Sequence, residues 1–305
     1  MRVFVTGGTG FVGGALSRGL LEAGHEVTVL TRGGKLAHEA PPGAAMIRGD
    51  PTLQGPWQEE ILRHDAVINL AGASIFRRWT RKAKDLIVES RIGTTKNVVS
   101  ALAGSGGKKI LISASAVGYY GFRGDEDLKE GDRPGDDFLA SVCRRWEAEA
   151  VKARSFGIRV AICRLGIVLA ARGGALGKMI PIFKKGLGSP LGSGRQWFSW
   201  VHREDLVRMV LFLLEGEDLE GPFNCTAPEP VKNRDFTRAL AEALGRSAFL
   251  PPVPGLVLRL IKGEFGSVLL EGQRVRPSRF LDAGFEFRFP AIRDALYDLM
   301  ERERS

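Results

Sequence analysis

Near its N-terminus the chain reads Arg2-Val3-Phe4-Val5-Thr6-Gly7-Gly8-Thr9-Gly10-Phe11-Val12-Gly13, with apolar residues at helical spacing over 11–21 before Gly24. An apolar run that meets glycines three residues apart and continues into a helical pattern predicts strand, turn and helix in one piece. Glycines in that register permit a tight turn, let the backbone approach a pyrophosphate and let helix pack closely on strand, while the helix N-terminus offers N–H groups and partial positive charge. Gly7, Thr9, Gly10, Phe11, Val12 and Gly13 are therefore the expected phosphate-binding stretch of a dinucleotide site.

The segments downstream fit the same fold class. Residues 26–30 form a β-branched-rich second strand, 65–70 and 109–113 read as further strands, and 80–103 is a long helical pattern between the last two. Residues 138–156 read as a helix and 159–164 as a strand. Strands alternating with helices predict an α/β fold, a Rossmann-type doubly wound parallel sheet with both faces covered. After Gly166 the texture changes, because Gly173, Gly174, Gly177, Gly186, Gly188, Gly192 and Gly194 break the chain into short pieces that suit loops and a lid. Helical spacing returns at 204–214, 233–244 and 291–302, and Pro251, Pro252 and Pro254 mark a break. The expected division is a nucleotide-binding domain over 1–165 that also receives 198–226, and a smaller substrate-side and C-terminal domain over 166–305.

Composition excludes several classes. At 305 residues, 44% hydrophobic and 26% charged, the chain is long enough for one large or two modest packed domains. Its longest apolar stretches run about six residues where a bilayer span needs about twenty, so no membrane segment is expected. The first strand begins at once and leaves no room for a leader, which makes cytoplasmic residence the expectation. Cys143, Cys163 and Cys225 are widely spaced and odd in number, with no histidine cluster around them; they read as reduced core residues, and no metal site is expected. The net charge of +9 raises nucleic acid as a partner. The densest basic stretch, Arg77, Arg78, Arg81, Lys82 and Lys84, is short, and most other basic residues alternate with acids. No nucleic-acid role is expected, and an anionic cofactor accounts for a basic chain as well.

The residue that ends the second strand selects the cofactor. Sites for a free ribose place Asp or Glu there; this chain has Thr31-Arg32. A guanidinium fork can grip a 2′-phosphate, so NADP(H) is expected over NAD(H), with Lys35 as an assistant. The lesser alternative for Arg32 is a solvated surface arginine after a strand. Asn69-Leu70-Ala71-Gly72 would let backbone and ribose meet, and Arg91 could reach the cofactor or neighbouring carbonyls, or form a structural ion pair.

Taken with 90–95, 113–121, 173–179, 186–194, 199–206 and Leu269-Leu270-Glu271-Gly272-Gln273-Arg274-Val275, these stretches make the whole chain resemble the extended short-chain dehydrogenase/reductase superfamily. Within it, the resemblance is to an atypical group usually labelled epimerase family protein, whose tail is a small domain of unknown function. The resemblance implies NADP-type contacts at Thr31, Arg32, Leu70, Ala71 and Arg91, and places Ser115 at the superfamily's catalytic Ser/Thr position.

The superfamily's redox chemistry also uses a tyrosine with a lysine four residues later. Here the tyrosines are Tyr119, Tyr120 and Tyr297, and four residues after them stand Arg123, Gly124 and Glu301. The best register against the superfamily pattern puts Leu139 and Cys143 in the tyrosine and lysine places. Ser115 with Tyr119 or Tyr120 is the nearest substitute catalytic set. The expectation is an oxidoreductase or epimerase acting on an unidentified small molecule. The alternative is a non-catalytic NADP(H)-sensing regulator with a protein partner, for example in cell division, or a structural protein that keeps a cofactor for stability.

On the substrate side, Gln196-Trp197-Phe198-Ser199-Trp200-Val201-His202 supplies aromatic and polar detail, with Trp197, Trp200 and His202 as candidate pocket residues. The resemblance implies that Phe198 stands where sugar-nucleotide enzymes carry a phosphate-binding arginine. Arg195, Arg274 and Arg276 could capture an anion by a changed arrangement. His202 is the candidate catalytic histidine and also suits a helix cap before Asp205 and Leu206.

Overall fold

In the computed structural model, which describes residues 1–33, 41–106 and 108–304, Val3-Phe4-Val5 lies on an interior strand of a seven-stranded sheet. The strands are β1 (Arg2–Thr6), β2 (Glu26–Thr31), β3 (Ala45–Arg48), β4 (Ala66–Asn69), β5 (Ile110–Ala116), β6 (Arg159–Leu165) and β7 (Gly221–Cys225). Their order is β7-β6-β5-β4-β1-β2-β3, and every pairing is parallel. The order reverses direction between β1 and β4, which is where the C-terminal strand ends open a crevice for a ligand.

Alternation along the strands divides the core. Val3, Val5, Ile110 and Ile112 join one cluster under α1 (Gly13–Glu22) and α6 (Arg203–Glu215). Phe4 and Leu111 turn to the opposite face, where α2 (Trp57–Ile61) and α3 (Arg81–Leu102) pack. Thr80 starts α3 by accepting the Ala83 N–H, and Asp137 does the same for α4 (Phe138–Val151) through the Ala140 N–H. The helix expected over 138–156 divides, with a 3₁₀ turn at Lys152–Phe156 before left-handed Gly157.

A second core gathers α5 (Leu176–Lys184), α7 (Asn233–Ala243) and the C-terminal α11 (Ile292–Arg304) around Leu176, Phe183, Trp200, Phe236, Leu240 and Leu296. Between them run α8 (Gly255–Lys262), α9 (Glu264–Leu270) and α10 (Ser278–Asp282). Phe265 of α9 meets Phe76 and Trp79, and Glu264 pairs with Lys84 at 2.6 Å, so α9 is fastened across the loop that follows β4. Among the described residues no helix is long and apolar enough to cross a membrane.

Candidate cofactor and substrate cleft

The glycine turn is set by close contacts. Gly7 lies at φ +72°, and a Cβ there would stand 2.9 Å from the Ala71 nitrogen; a Cβ on Gly13 would stand 2.1 Å from the Gly7 carbonyl oxygen. Neither position admits a side chain, so β1, the loop after β4 and the start of α1 meet backbone to backbone. The Gly10 N–H donates to the Gly7 carbonyl at 2.9 Å and closes the turn. No side chain caps α1 at Val12. Its N-terminus faces the crevice with the N–H groups and dipole end that suit a phosphate.

A buried polar network holds the floor beside this turn. Thr6 Oγ1 donates to Asn69 Oδ1 at 2.7 Å, Asn69 Nδ2 donates to Thr95 Oγ1 at 2.8 Å, and Trp146 Nε1 donates to the same hydroxyl at 2.9 Å. Arg91, one turn before Thr95, directs Nη1 to the carbonyls of Ala73 at 3.0 Å and Ile87 at 3.2 Å, with its guanidinium 5.3 Å from the centre of the Trp146 ring. A Cβ on Gly72 would come 3.2 Å from the Arg91 guanidinium carbon, so glycine there keeps the loop against the cation. Burial lowers the Arg91 pKa from the ordinary arginine value. No carboxylate among the described residues pairs with it. A cation taken out of water without an acid partner favours an arriving anion.

From Phe11, Val12, Leu70 and Arg91 a cavity of about 410 Å³ runs to Ser115 and on to Trp197 and Gln273. That volume lies within the range of small-molecule sites. Leu139 and Cys143, one helical turn apart on α4, both line it. Burial first, and the nearby Glu147 carboxylate second, lift the Cys143 thiol to about 12, so it is neither a thiolate nor a base at neutral pH.

Ser115 reaches the same wall from β5. Its hydroxyl donates to Glu147 Oε1 at 2.6 Å, and Arg164 clasps that carboxylate with Nε on Oε1 at 2.9 Å and Nη2 on Oε2 at 2.8 Å. Arg164 also donates to the Tyr120 hydroxyl at 2.9 Å, and that hydroxyl donates to Asn224 Oδ1 at 2.7 Å. Burial alone would lower the Arg164 pKa, but the hydrogen bonds and charge of Glu147 raise it above the ordinary arginine value. Burial raises the Tyr120 phenol. Glu147 and Arg164 escaped the sequence reading, although Leu139, Cys143 and Glu147 recur every four residues and share a helix face.

The other residues singled out from sequence separate in space. Thr31 is buried at the end of β2, where its Oγ1 accepts the Gly33 N–H at 3.1 Å, and Arg32 beside it is exposed. Lys35 lies outside the described residues. Thr9 is buried in the glycine turn. Tyr119 is half-buried with Arg164 over its ring at 3.5 Å, and Tyr120 is fully buried; neither is among the cavity-lining residues. Trp197 lines the cavity with Ser199, and its indole N–H donates to Asp125 at 2.6 Å. Trp200 faces away, fully buried in the second core with its N–H on the Glu229 carbonyl at 3.0 Å.

His202 also lies off the cavity. Its Nδ1 accepts the Glu204 N–H at 3.2 Å as the cap of α6, Nε2 stands 3.3 Å from Asp298, and the ring packs on Phe289. Phe198 stacks on Phe236 at 4.2 Å, while Arg274 and Arg276 both pair with Asp127. Among the described residues no group of three or more His, Cys, Asp and Glu could hold a metal.

Residues 3–225 match the NAD dependent epimerase/dehydratase family, and residues 253–299 match a domain of unknown function, DUF1731. The Arabidopsis thaliana chloroplastic epimerase family protein SDR39U1 homolog is 40% identical over 304 residues, covering 99% of this chain and 87% of the relative. The crystal structure of human epimerase family protein SDR39U1 (isoform2) with NADPH superposes with a TM-score of 0.86 at 34% identity, covering 99% of both chains. The Thermus thermophilus UDP-glucose 4-epimerase complex with NAD gives a TM-score of 0.76 at 25% identity, again covering 99% of both chains.

Proposed function

The chain belongs to the NAD dependent epimerase/dehydratase family, and on that premise we propose that it binds NADP(H) and uses it in oxidoreductase or epimerase-type chemistry on a small, largely apolar molecule. The observation that carries this reading is the glycine turn: a cradle from which Cβ atoms are excluded at Gly7 and Gly13, opening into the cavity that passes Ser115. The human relative was crystallised with NADPH, and the Thermus epimerase with NAD. Arg32 at the end of β2 favours the phosphorylated form, because no acid stands there to receive a free ribose and a guanidinium suits a phosphate.

The residues fit such a cofactor at each step. Gly7, Thr9, Gly10 and Gly13 would shape the pyrophosphate cradle, with Phe11 and Val12 at its mouth and the N-terminus of α1 offering its dipole. Thr31 and Arg32 would receive the 2′-phosphate end, and Leu70, Ala71 and Gly72 would lie along the ribose. Arg91 would hold anionic or hydroxyl groups from below. A bound nicotinamide supplies or accepts a hydride.

Ser115 is the polar group we assign to the substrate. Its proton is directed to Glu147, so its Oγ offers lone pairs to the cavity and receives a donor, such as an alcohol or an N–H group. Arg164 donates to both Glu147 oxygens and so fixes that orientation. We assign Tyr119 and Tyr120 to the frame around Arg164, where one provides a ring face and the other a hydroxyl. Trp197 forms the outer wall; Trp200 and His202 support the second core behind it.

A second reading rests on Leu139 and Cys143. Both line the cavity, and neither can transfer a proton at neutral pH. In this reading the protein reports the redox state of NADP(H) to a partner without turnover. Fluorescence titration with NADPH and NADH, followed by a screen for carbonyl-dependent NADPH oxidation and alcohol-dependent NADP⁺ reduction, tests both. Equal affinity for the two cofactors would overturn the NADP(H) assignment. Tight NADPH binding with a cofactor-dependent protein complex, and neither NADPH oxidation by apolar carbonyls nor NADP⁺ reduction by apolar alcohols, would select the regulator.

A further inference from the structure

We infer that Arg48, at the end of β3, is the second arm of the clamp that receives the 2′-phosphate of the cofactor. The inference rests on the NADP(H) reading and names a residue that reading did not include. β2 and β3 run parallel with Thr31 opposite Arg48, so the last residues of both strands reach the same rim of the sheet. The Gly49 N–H donates to the Thr31 carbonyl at 2.9 Å and ties the two strand ends together.

Gly33, next to Arg32, lies at φ +83°, and the Arg48 Nε stands 3.4 Å from where its Cβ would be. The Arg48 guanidinium therefore lies against the turn that carries Arg32. Arg32 and Arg48 are both exposed, and neither side chain makes an ion pair or hydrogen bond with any described residue. The nearest acid in sequence, Asp50, is engaged instead: its Oδ1 accepts the Thr52 N–H at 2.9 Å and hydroxyl at 2.7 Å.

Two guanidinium-bearing residues with no acid partner among the described residues thus stand on adjoining strand ends at the edge of the nucleotide crevice. Each costs self-repulsion in the free protein, and a dianionic phosphate relieves both at once. A single arginine could be a solvated surface residue; a pair fixed by strand register, with Asp50 Oδ1 bonded to Thr52 and to neither arginine, has the arrangement of an anion clamp. Because the two come from different strands, they would approach a phosphate from two sides, which a single flexible cation cannot do.

The test compares 2′,5′-ADP with 5′-AMP, probes that differ only in the 2′-phosphate, by calorimetry on wild type, Arg32→Ala and Arg48→Ala. The 5′-AMP arm reports whether each variant keeps its fold and its adenosine site. Wild type should prefer 2′,5′-ADP by about tenfold or more, the scale of a hydrogen bond to a charged group. Arg48→Ala should reduce that ratio at least about threefold while leaving 5′-AMP affinity unchanged. A wild-type ratio near one would overturn both the NADP(H) reading and this inference. A ratio that falls in Arg32→Ala but is unchanged in Arg48→Ala would overturn the Arg48 assignment alone. Equal weakening of both probes by Arg48→Ala would also overturn it.

Discussion

Ser115 Oγ donates a 2.6 Å hydrogen bond to Glu147 Oε1, and the same carboxylate is held on both oxygens by Arg164. The pair is buried, with side chains 3% and 9% exposed for Arg164 and Glu147. Removing one partner of such a pair leaves a charge without compensation, which typically costs about 3–5 kcal/mol. Glu147→Gln preserves the shape of the side chain and removes its charge. Urea unfolding should show a loss on that scale with an unchanged slope. A loss below about 1 kcal/mol would mean that the pair does not hold the site together.

The direction of the Ser115 hydrogen bond also separates it from the tyrosines. Ser115→Ala should leave NADPH affinity within about twofold and lower alcohol-dependent NADP⁺ reduction by about 10²-fold or more, the usual effect of losing a positioned group at the reacting hydroxyl. Tyr119→Phe should keep most of the rate, because the contact of Tyr119 with Arg164 is made by its ring. Stopped-flow absorbance of NADPH with a substrate in hand decides between them. A Tyr119→Phe defect as deep as that of Ser115→Ala would return the phenol to the reaction.

The cavity wall argues for an apolar ligand. Trp146, Leu139, Val142, Ile167, Val268 and Trp197 line it, whereas Phe198 is stacked on Phe236, and Arg274 and Arg276 are both turned to Asp127. In a thermal-shift screen with NADPH present, apolar carbonyl compounds should raise the melting temperature more than UDP-sugars. Burying about 100 Å² of ligand against such a wall is worth about 2.5 kcal/mol. Stabilisation by a UDP-sugar equal to that by the best apolar compound would contradict this.

What sequence revealed and what it concealed follow from how local each signal is. The strand, turn and helix of 2–22 lie within one continuous stretch, so Val3, Phe4, Val5 and the glycines declare themselves. β3 is four residues long and mostly exposed, and β7 holds Gly221 and Pro222, which suits a sheet edge and defeats a propensity reading. Both strands are made by tertiary pairing. Arg48 was missed with β3. In 197–202 the two tryptophans were grouped as one pocket, yet side chains alternate along this segment: Trp197 and Ser199 turn to the cavity, while Phe198 and Trp200 turn to the second core. An odd spacing of three between the tryptophans was the sign that they face opposite ways. The Ser115–Glu147–Arg164 array joins β5, α4 and β6, and no single window of sequence contains it.

Gly13→Ala tests the cradle directly. The added Cβ would meet the Gly7 carbonyl oxygen at 2.1 Å. Backbone cannot yield as a flexible side chain can, so α1 must move away from β1. The expected cost is about 1–3 kcal/mol of stability, as for overpacking a filled interior. NADPH affinity should fall at least about tenfold, because the N–H groups of α1 leave their place. Unchanged affinity by calorimetry would show that this turn does not hold the pyrophosphate.

The cap at His202 predicts a specific pH dependence. Its Nδ1 accepts the Glu204 N–H, which assigns the neutral ring with its proton on Nε2, toward Asp298. Burial lowers the His202 pKa below 6.5; Asp298, Glu204 and Asp205 oppose that shift, and Arg302 adds to it. The folded protein therefore keeps the ring neutral at a pH where the unfolded chain has begun to take a proton. The sign follows from linkage: the stabilisation is fully present above pH 6.5 and is lost as pH falls from 6.5 through the folded value. Protonation at Nδ1 would also remove the acceptor that caps α6. His202→Asn retains a capping oxygen without a titrating ring. Urea unfolding at pH 7.5, 6.5 and 5.5 should show wild type losing stability relative to His202→Asn, with a slope approaching about 1.4 kcal/mol per pH unit at most. His25, whose pKa is also lowered by burial, is present in both proteins and cancels in the difference. A difference that stays constant across the three pH values would show that the His202 cap does not titrate in this window.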